Sequence, residues 1–343
     1  MVMLLIVFHC GVSFMNSSLD SEIWTYKNES TSVFFDALIG FIHTFRHPTF
    51  FIISGFVSEM MYSKYTSNTV LKKRFERIFI PFVITVLSLS HLVHLLLNKI
   101  EFGAYNINHQ LFIDSTYVWF LYYLTIYSVI HFIYKKWIKN RISFKNTIHN
   151  VITLSIIIYI TTSITLYFWG ENTLFGTYDF IPDFGSVMGY TFFYFLGVIF
   201  FKHQSLFYQL KKYGWLFIAL GFLALNIYFY LSALKLNCND DTFNFDWGLM
   251  LFYNFTSTYI SLGAIGLALK FYTRPISLIT YLSKSSYFLY LIHFPFVLLS
   301  LILISDKNWS VFVKFLVVLS LTLSISFFIN FIWRKLWNNN PPI

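Results

Sequence analysis

Charge is what this sequence has least of: Asp, Glu, Lys and Arg make up 11% of its 343 residues, against 57% hydrophobic and 22% aromatic. A soluble domain carries about a quarter of its residues charged, so water is excluded as the solvent for most of the chain. Lipid is the natural one. Cysteine is nearly absent too. Cys10 and Cys238 stand far apart and fit no CxxC or zinc-ligand spacing, which excludes a disulfide framework and a structural metal. The formal charge of +9 would suit nucleic acid, but the basic residues sit in short clusters between apolar runs rather than along one face, so no nucleic-acid partner is expected.

What is present is a series of apolar runs, near 1–15, 37–62, 78–97, 117–134, 149–169, 186–201, 214–233, 247–269, 278–304 and 310–333. Each approaches the ~20 residues that cross hydrocarbon, so the sequence predicts an all-α, polytopic transmembrane bundle of about ten helices. The last two runs are expected to form a tight hairpin through Ser305–Trp309. No internal repeat or appended soluble segment is evident, so 1–343 reads as one integral-membrane domain. Met1 opens directly into VMLLIVFHCGVSF with no basic stretch before it, which argues against a cleaved signal peptide and for a first helix cut short at its start.

Loop charge tests the count, because Lys and Arg are retained on the cytoplasmic side of short loops. One alternate set of loops holds most of the 24 basic residues, among them Lys72, Lys73, Arg74, Arg77, Lys135, Lys136, Lys211, Lys212, Arg274 and Arg334. The other set holds most of the acids, including Asp20, Glu29, Glu101, Asp114, Glu171, Asp183 and Asp246. The alternation puts both termini in the cytoplasm, and the expected location is the inner membrane of a bacterium.

Ionisable groups inside spans are costly and mark candidate functional positions. At 1.5 Å rise per residue, His9 lies roughly 10 Å below the outer surface, and His43, Arg46 and His47 roughly 10 to 15 Å. His293 falls in the outer half of the ninth run, so these groups are expected to share a layer. His43, His91 and His94 read most simply as interfacial residues, and His131 as snorkelling at the inner surface. An arginine as deep as Arg46 needs an anion or a polar cavity. Among the many aromatics Trp119 stands out for testing. Arg74 and Arg77, in KKRFERIFIP, are one helical turn apart and are expected on one face; they suit plain anchoring or a phosphate clamp, since guanidinium forks bind phosphate bidentately.

Taken together, these segments resemble the acyltransferase-3 family of polytopic membrane acyltransferases. MLLIVFHCGVSF resembles the family's first helix with its catalytic histidine, which carries over onto His9. FIHTFRHPTFFIISGF is similar to the second-helix signature, at Arg46 and Ser54-Gly55-Phe56, and LKKRFERIFIPF to the RxxR segment, at Arg74 and Arg77. TYVWFLYYL, FFYFLGVIFF and SSYFLYLIHFPF match later family features in order. A basic residue eleven positions before the first-helix histidine, usual in the family, falls before Met1 here.

The resemblance implies O-acyl transfer from cytoplasmic acyl-CoA, with succinyl or acetyl as the group moved, to a hydroxyl of an extracytoplasmic carbohydrate. It makes His9 the base, or second a transient acyl carrier, and gives Arg46 a share in catalysis by orienting the surroundings of His9, neutralising a developing oxyanion or binding an acyl carboxylate. It places the CoA phosphates on Arg74 and Arg77 and leaves His47, Ser54, Trp119 and His293 as support. No permanently bound cofactor or metal is implied; membrane lipid, acyl-CoA and the carbohydrate are the partners. Two other classes stay open: a transporter or flippase, which would show paired broken helices, and a bis-histidine haem protein.

Overall fold

A computed structural model of the chain describes residues 1–17, 26–103, 115–138, 150–171, 173–174, 176, 180–237, 245–274 and 276–337. Apolar segments in lipid must satisfy their own backbone groups, and a helix does so within the segment. Among the described residues there are ten continuous helices and no strand. They are α1 (Val2–Val12), α2 (Val33–Lys64), α3 (Ser67–Arg74, a π-helical turn Phe75–Phe79, then Ile80–Phe102), α4 (Thr116–Val118, Trp119–Ile133, Tyr134–Ile138) and α5 (Val151–Trp169). The series continues with α6 (Phe184–Lys202), α7 (Ser205–Asn237), α8 (Phe245–Phe271), α9 (Ser277–Ile304) and α10 (Val311–Trp337).

Each helix covers one of the ten expected runs. Six are long and apolar enough to cross a membrane: those containing Ser67–Ile100, Val151–Trp169, Phe184–Lys202, Ser205–Lys235, Ser277–Ile304 and Val311–Leu336. The chain is a multi-pass membrane protein. The four others depart from the expected span for physical reasons. α1 has 11 residues, about 16 Å of helix against about 30 Å of hydrocarbon. α2 and α8 are long but bury polar side chains, Arg46 and Glu59 on one and Asn254, Ser257 and Ser261 on the other. α4 has an α-helical stretch of 15 residues.

The chain divides into two compact units, one drawn from Met1–Ile42, Val83–Val118 and Pro275–Ile343, the other from His43–Phe82 and Trp119–Arg274. In the first, α1 packs against α9 and α10, and these two lie along each other as the expected hairpin. Its core is Ile6, Phe14, Phe35, Ile39, Leu289, Val297, Leu301 and Val318, all fully buried. Polar ties within it include Lys314 Nζ donating to Asn28 Oδ1 (3.1 Å) and Asn330 Nδ2 to Ser285 Oγ (3.0 Å). In the second unit α7 and α8 form the most extensive pair, and α5 packs on α6 and α8. Asn254 on α8 bonds Thr162 and Ser163 on α5, each at 2.7 Å.

Close backbone crossing sets the geometry between α2 and α6. A Cβ on Gly55 would sit 1.8 Å from the Tyr194 carbonyl oxygen, and one on Gly197 would sit 1.9 Å from that of Ile52. Only glycine permits that approach, the small-residue packing by which membrane helices associate where no hydrophobic force drives them. The Ser54-Gly55 step is therefore a crossing point, and it fixes where Ser54 faces.

Candidate active site

In the first unit, α1 and α9 bring two histidines together. His9 Nδ1 lies 2.8 Å from His293 Nε2, with the rings parallel to within 2°. His293 is fully buried and His9 is 9% exposed. The other ring nitrogen of His293, Nδ1, faces the Tyr290 carbonyl at 2.8 Å and that of Leu289 at 3.1 Å. Pro295 gives this turn of α9 a further tie. Lacking an N–H, it frees the Leu291 carbonyl four residues back, and the Tyr117 hydroxyl donates to that oxygen at 2.5 Å. Tyr290 in turn donates to the Tyr117 carbonyl (3.3 Å), and Tyr117 stacks on Phe294 at 4.8 Å. A metal between two imidazole nitrogens needs about 4 Å, two bonds of about 2 Å each. At 2.8 Å the His9–His293 pair shares a hydrogen and has no room for iron.

In the second unit, α2 carries His43, Arg46 and His47, three and four residues apart and so on one face. All three are buried. An Arg46 terminal amine lies 2.9 Å from His47 Nε2. Arginine is only a donor, so His47 Nε2 is the acceptor. The His47 ring meets Trp119 edge-on at 4.6 Å, and Tyr123 and Tyr190 pack around the same indole at 5.2 and 6.0 Å. Gly176 covers the indole so closely that a Cβ there would lie 2.0 Å from Trp119 Cδ2. Trp119 is thus a wall packed from both sides, with one edge on a histidine held by an arginine.

Arg74 and Arg77 do not share a face. Arg74 precedes and Arg77 lies within the π-helical turn Phe75–Phe79, which adds a residue to the helical turn beside Pro81, a residue with no N–H to give. Arg74 turns inward, 9% exposed, and donates to the Ser54 carbonyl at 3.0 Å and more weakly to its hydroxyl at 3.4 Å. Arg77 is exposed. Spacing alone, read as a regular helix, gives the wrong geometry here.

His131 also departs from expectation. It is fully buried rather than snorkelling, because Glu59 on α2 accepts from its Nε2 at 3.0 Å. Its Nδ1 lies 3.1 Å from the Tyr194 hydroxyl, and Lys135 Nζ donates to the other Glu59 oxygen at 2.5 Å. The signal was available: a carboxylate in an otherwise apolar helix needs a partner. His91 and His94 are half-buried. Pro48 and Pro295 both lie inside continuous helices, so neither α2 nor α9 shows the break expected of a transporter site. Among the described residues no group of three or more His, Cys, Asp or Glu side chains is placed to hold a metal.

A family model for an acyltransferase domain, the third of that series, matches residues 1–331, nearly the whole chain. The chain belongs to the acyltransferase-3 family. Among curated proteins, 86 residues are 30% identical to glucans biosynthesis protein C of Escherichia coli K12, and the same holds for that protein in Escherichia coli O157:H7 strain EC4115. The match takes in 25% of this chain and 21% of the relative, so the chain covers about a fifth of the length of these proteins. No solved structure matches it. The first helix, where His9 sits, and the ninth, where His293 sits, both fall within the acyltransferase-3 match.

Proposed function

We propose that this acyltransferase-3 protein moves an acyl group from cytoplasmic acyl-CoA to a hydroxyl of an extracytoplasmic carbohydrate, with His9 as general base. The observation that carries the reading is a buried histidine in the family's first-helix motif, hydrogen-bonded to a second buried histidine. An alcohol is a poor nucleophile until a base takes its proton, and imidazole suits that task near neutral pH. The hydroxyl oxygen attacks the thioester carbonyl carbon as His9 takes the hydroxyl proton. The C–S bond breaks, and the proton passes to the thiolate, giving an ester and free CoA.

Arg46 is the group assigned to negative charge, either on the thioester oxygen or on a carboxylate of the acyl chain. The second option suits a succinyl donor; acetyl is the other donor considered. Arg74 and Arg77 are assigned to the CoA phosphates at the basic cytoplasmic face. In that reading Arg77 supplies an exposed guanidinium and Arg74 a buried one, held by the Ser54 carbonyl in the middle of α2. The name of the E. coli relative, a glucans biosynthesis protein, makes a glucan the first acceptor to try.

The test is transfer of labelled succinyl or acetyl groups from CoA to envelope glycans in proteoliposomes. His9→Ala is expected to lower turnover by 10²- to 10⁴-fold, the worth of a positioned acid–base group, with the protein's melting curve unchanged. Normal acylation by that variant overturns the assignment. Mass spectrometry of the glycans, with and without the gene, names the group and the acceptor.

A further inference from the structure

We propose that His293 is a positioning residue that sets the tautomer of His9, making Nε2 of His9 the atom that takes the hydroxyl proton. The inference rests on His9 being the base and adds which nitrogen acts and what holds it. It starts at the two carbonyls. The Tyr290 and Leu289 oxygens, 2.8 and 3.1 Å from His293 Nδ1, can only accept, so Nδ1 carries a hydrogen. A neutral imidazole has one N–H, so His293 Nε2 holds a lone pair. That atom is 2.8 Å from His9 Nδ1, which must therefore be the donor. With its hydrogen on Nδ1, neutral His9 carries its basic lone pair on Nε2.

The arrangement does what a buried carboxylate does in a Ser-His-Asp triad: it fixes the ring, selects the tautomer and stabilises the imidazolium as it forms. Once Nε2 has taken the proton, the Nδ1–H bond to His293 becomes charge-assisted and stronger. A second imidazole does this without a permanent charge. A carboxylate at the fully buried position of His293 would carry the cost of an ion in a membrane span. The orienting group is itself held, since Pro295 frees the Leu291 carbonyl and Tyr117 ties it down. The polarity of the whole pair thus descends from backbone carbonyls on one turn of α9.

Two measurements on the full-length protein in lipid nanodiscs test this. The first is the ¹⁵N spectrum of histidine-labelled wild type at a pH where His9 is neutral, assigned with His9→Ala. The expected result is a protonated Nδ1 and an unprotonated Nε2 for His9. The reverse tautomer overturns the proposal without touching the base assignment. The second is kinetics of His293→Leu and His293→Gln. The leucine variant is expected to lose on the order of 10²-fold in kcat, within the range a positioned proton-transfer group supplies, with KM for acyl-CoA within about twofold. The glutamine variant, which keeps an acceptor, is expected to recover about tenfold of that loss. Wild-type kcat in the leucine variant overturns the proposal; His9→Ala turning over normally overturns the base reading itself. Should the leucine variant fail to fold, the wild-type spectrum decides alone.

Discussion

The two units of the chain solve the same problem, polar groups in lipid, by opposite means. In the first, His9 and His293 are neutral-capable rings oriented by backbone carbonyls, with Tyr117 securing the turn. In the second, permanently charged groups are held in place: Glu59 takes hydrogen bonds from Lys135 and His131, Arg74 donates to Ser54, and Arg46 donates to His47. Carbonyl-held imidazoles are neutral at rest and carry charge only while a proton is held, when the hydrogen bond between the rings strengthens. Breaking a buried ion pair, by contrast, leaves an uncompensated charge. The neutral pair in the first unit suits the base proposed at His9, and the fixed charges in the second suit the binding roles proposed for the arginines.

The contrast predicts that substitutions in the second unit show first in stability. Glu59→Gln removes the carboxylate from Lys135 and His131, whose side chains are 8% and 0% exposed. Breaking a buried pair costs about 3–5 kcal/mol, so a large drop in melting temperature is expected. Glu59→Gln combined with Lys135→Met should recover much of it, because replacing both ions removes the stranded charge. A double variant no more stable than the single would show that the cluster is not acting as an ion pair.

A smaller effect is expected from Gly55→Ala. The new Cβ would stand 1.8 Å from the Tyr194 carbonyl oxygen, a backbone atom, so α2 and α6 must separate. Overpacking of this kind costs typically 1–3 kcal/mol. Because Ser54 is Arg74's partner, the same separation should raise KM for acyl-CoA. Ser54→Ala, which leaves the crossing alone and keeps the Ser54 carbonyl, should move stability much less. Equal melting temperatures for the two variants would argue against the crossing as the constraint.

Much of the fold was legible because hydropathy reads burial in lipid directly: the runs at 149–169 and 278–304 match α5 and α9 to within two residues. Helix extent was read less well where polar residues continue a helix out of the apolar run, as in SLFYQLKKY at the start of α7 and SNTVLKKR at the start of α3. In the candidate site, His9, Arg46 and His293 were legible as costly ionisable groups. Their partners were not, for distinct reasons. His9 and His293 are 284 residues apart, and no periodicity reports such a contact. Arg74 and Arg77 were placed by a 3.6-residue turn that a π-helical segment replaces. Tyr117 lay in an aromatic string, and its role follows only from Pro295 sitting four residues after a carbonyl.

That last link gives the subtlest test of the contrast. Tyr117→Phe keeps the ring that stacks on Phe294 and meets the edge of His293 at 5.8 Å, and removes only the hydroxyl. The Leu291 carbonyl, freed by Pro295, then loses its donor. An acceptor left unsatisfied in a buried site costs about 1–3 kcal/mol, the low end being expected because α9 can relax locally. The effect on rate should be out of proportion to the effect on stability, since a small rotation of this turn carries the Tyr290 carbonyl away from His293 Nδ1 and loosens the tautomer of His9. A several-fold fall in kcat with a melting temperature within a few degrees of wild type is the expected result. A loss of stability with kcat intact would make Tyr117 a strut of the helix turn and leave the orientation of His293 to the carbonyls of Leu289 and Tyr290 alone.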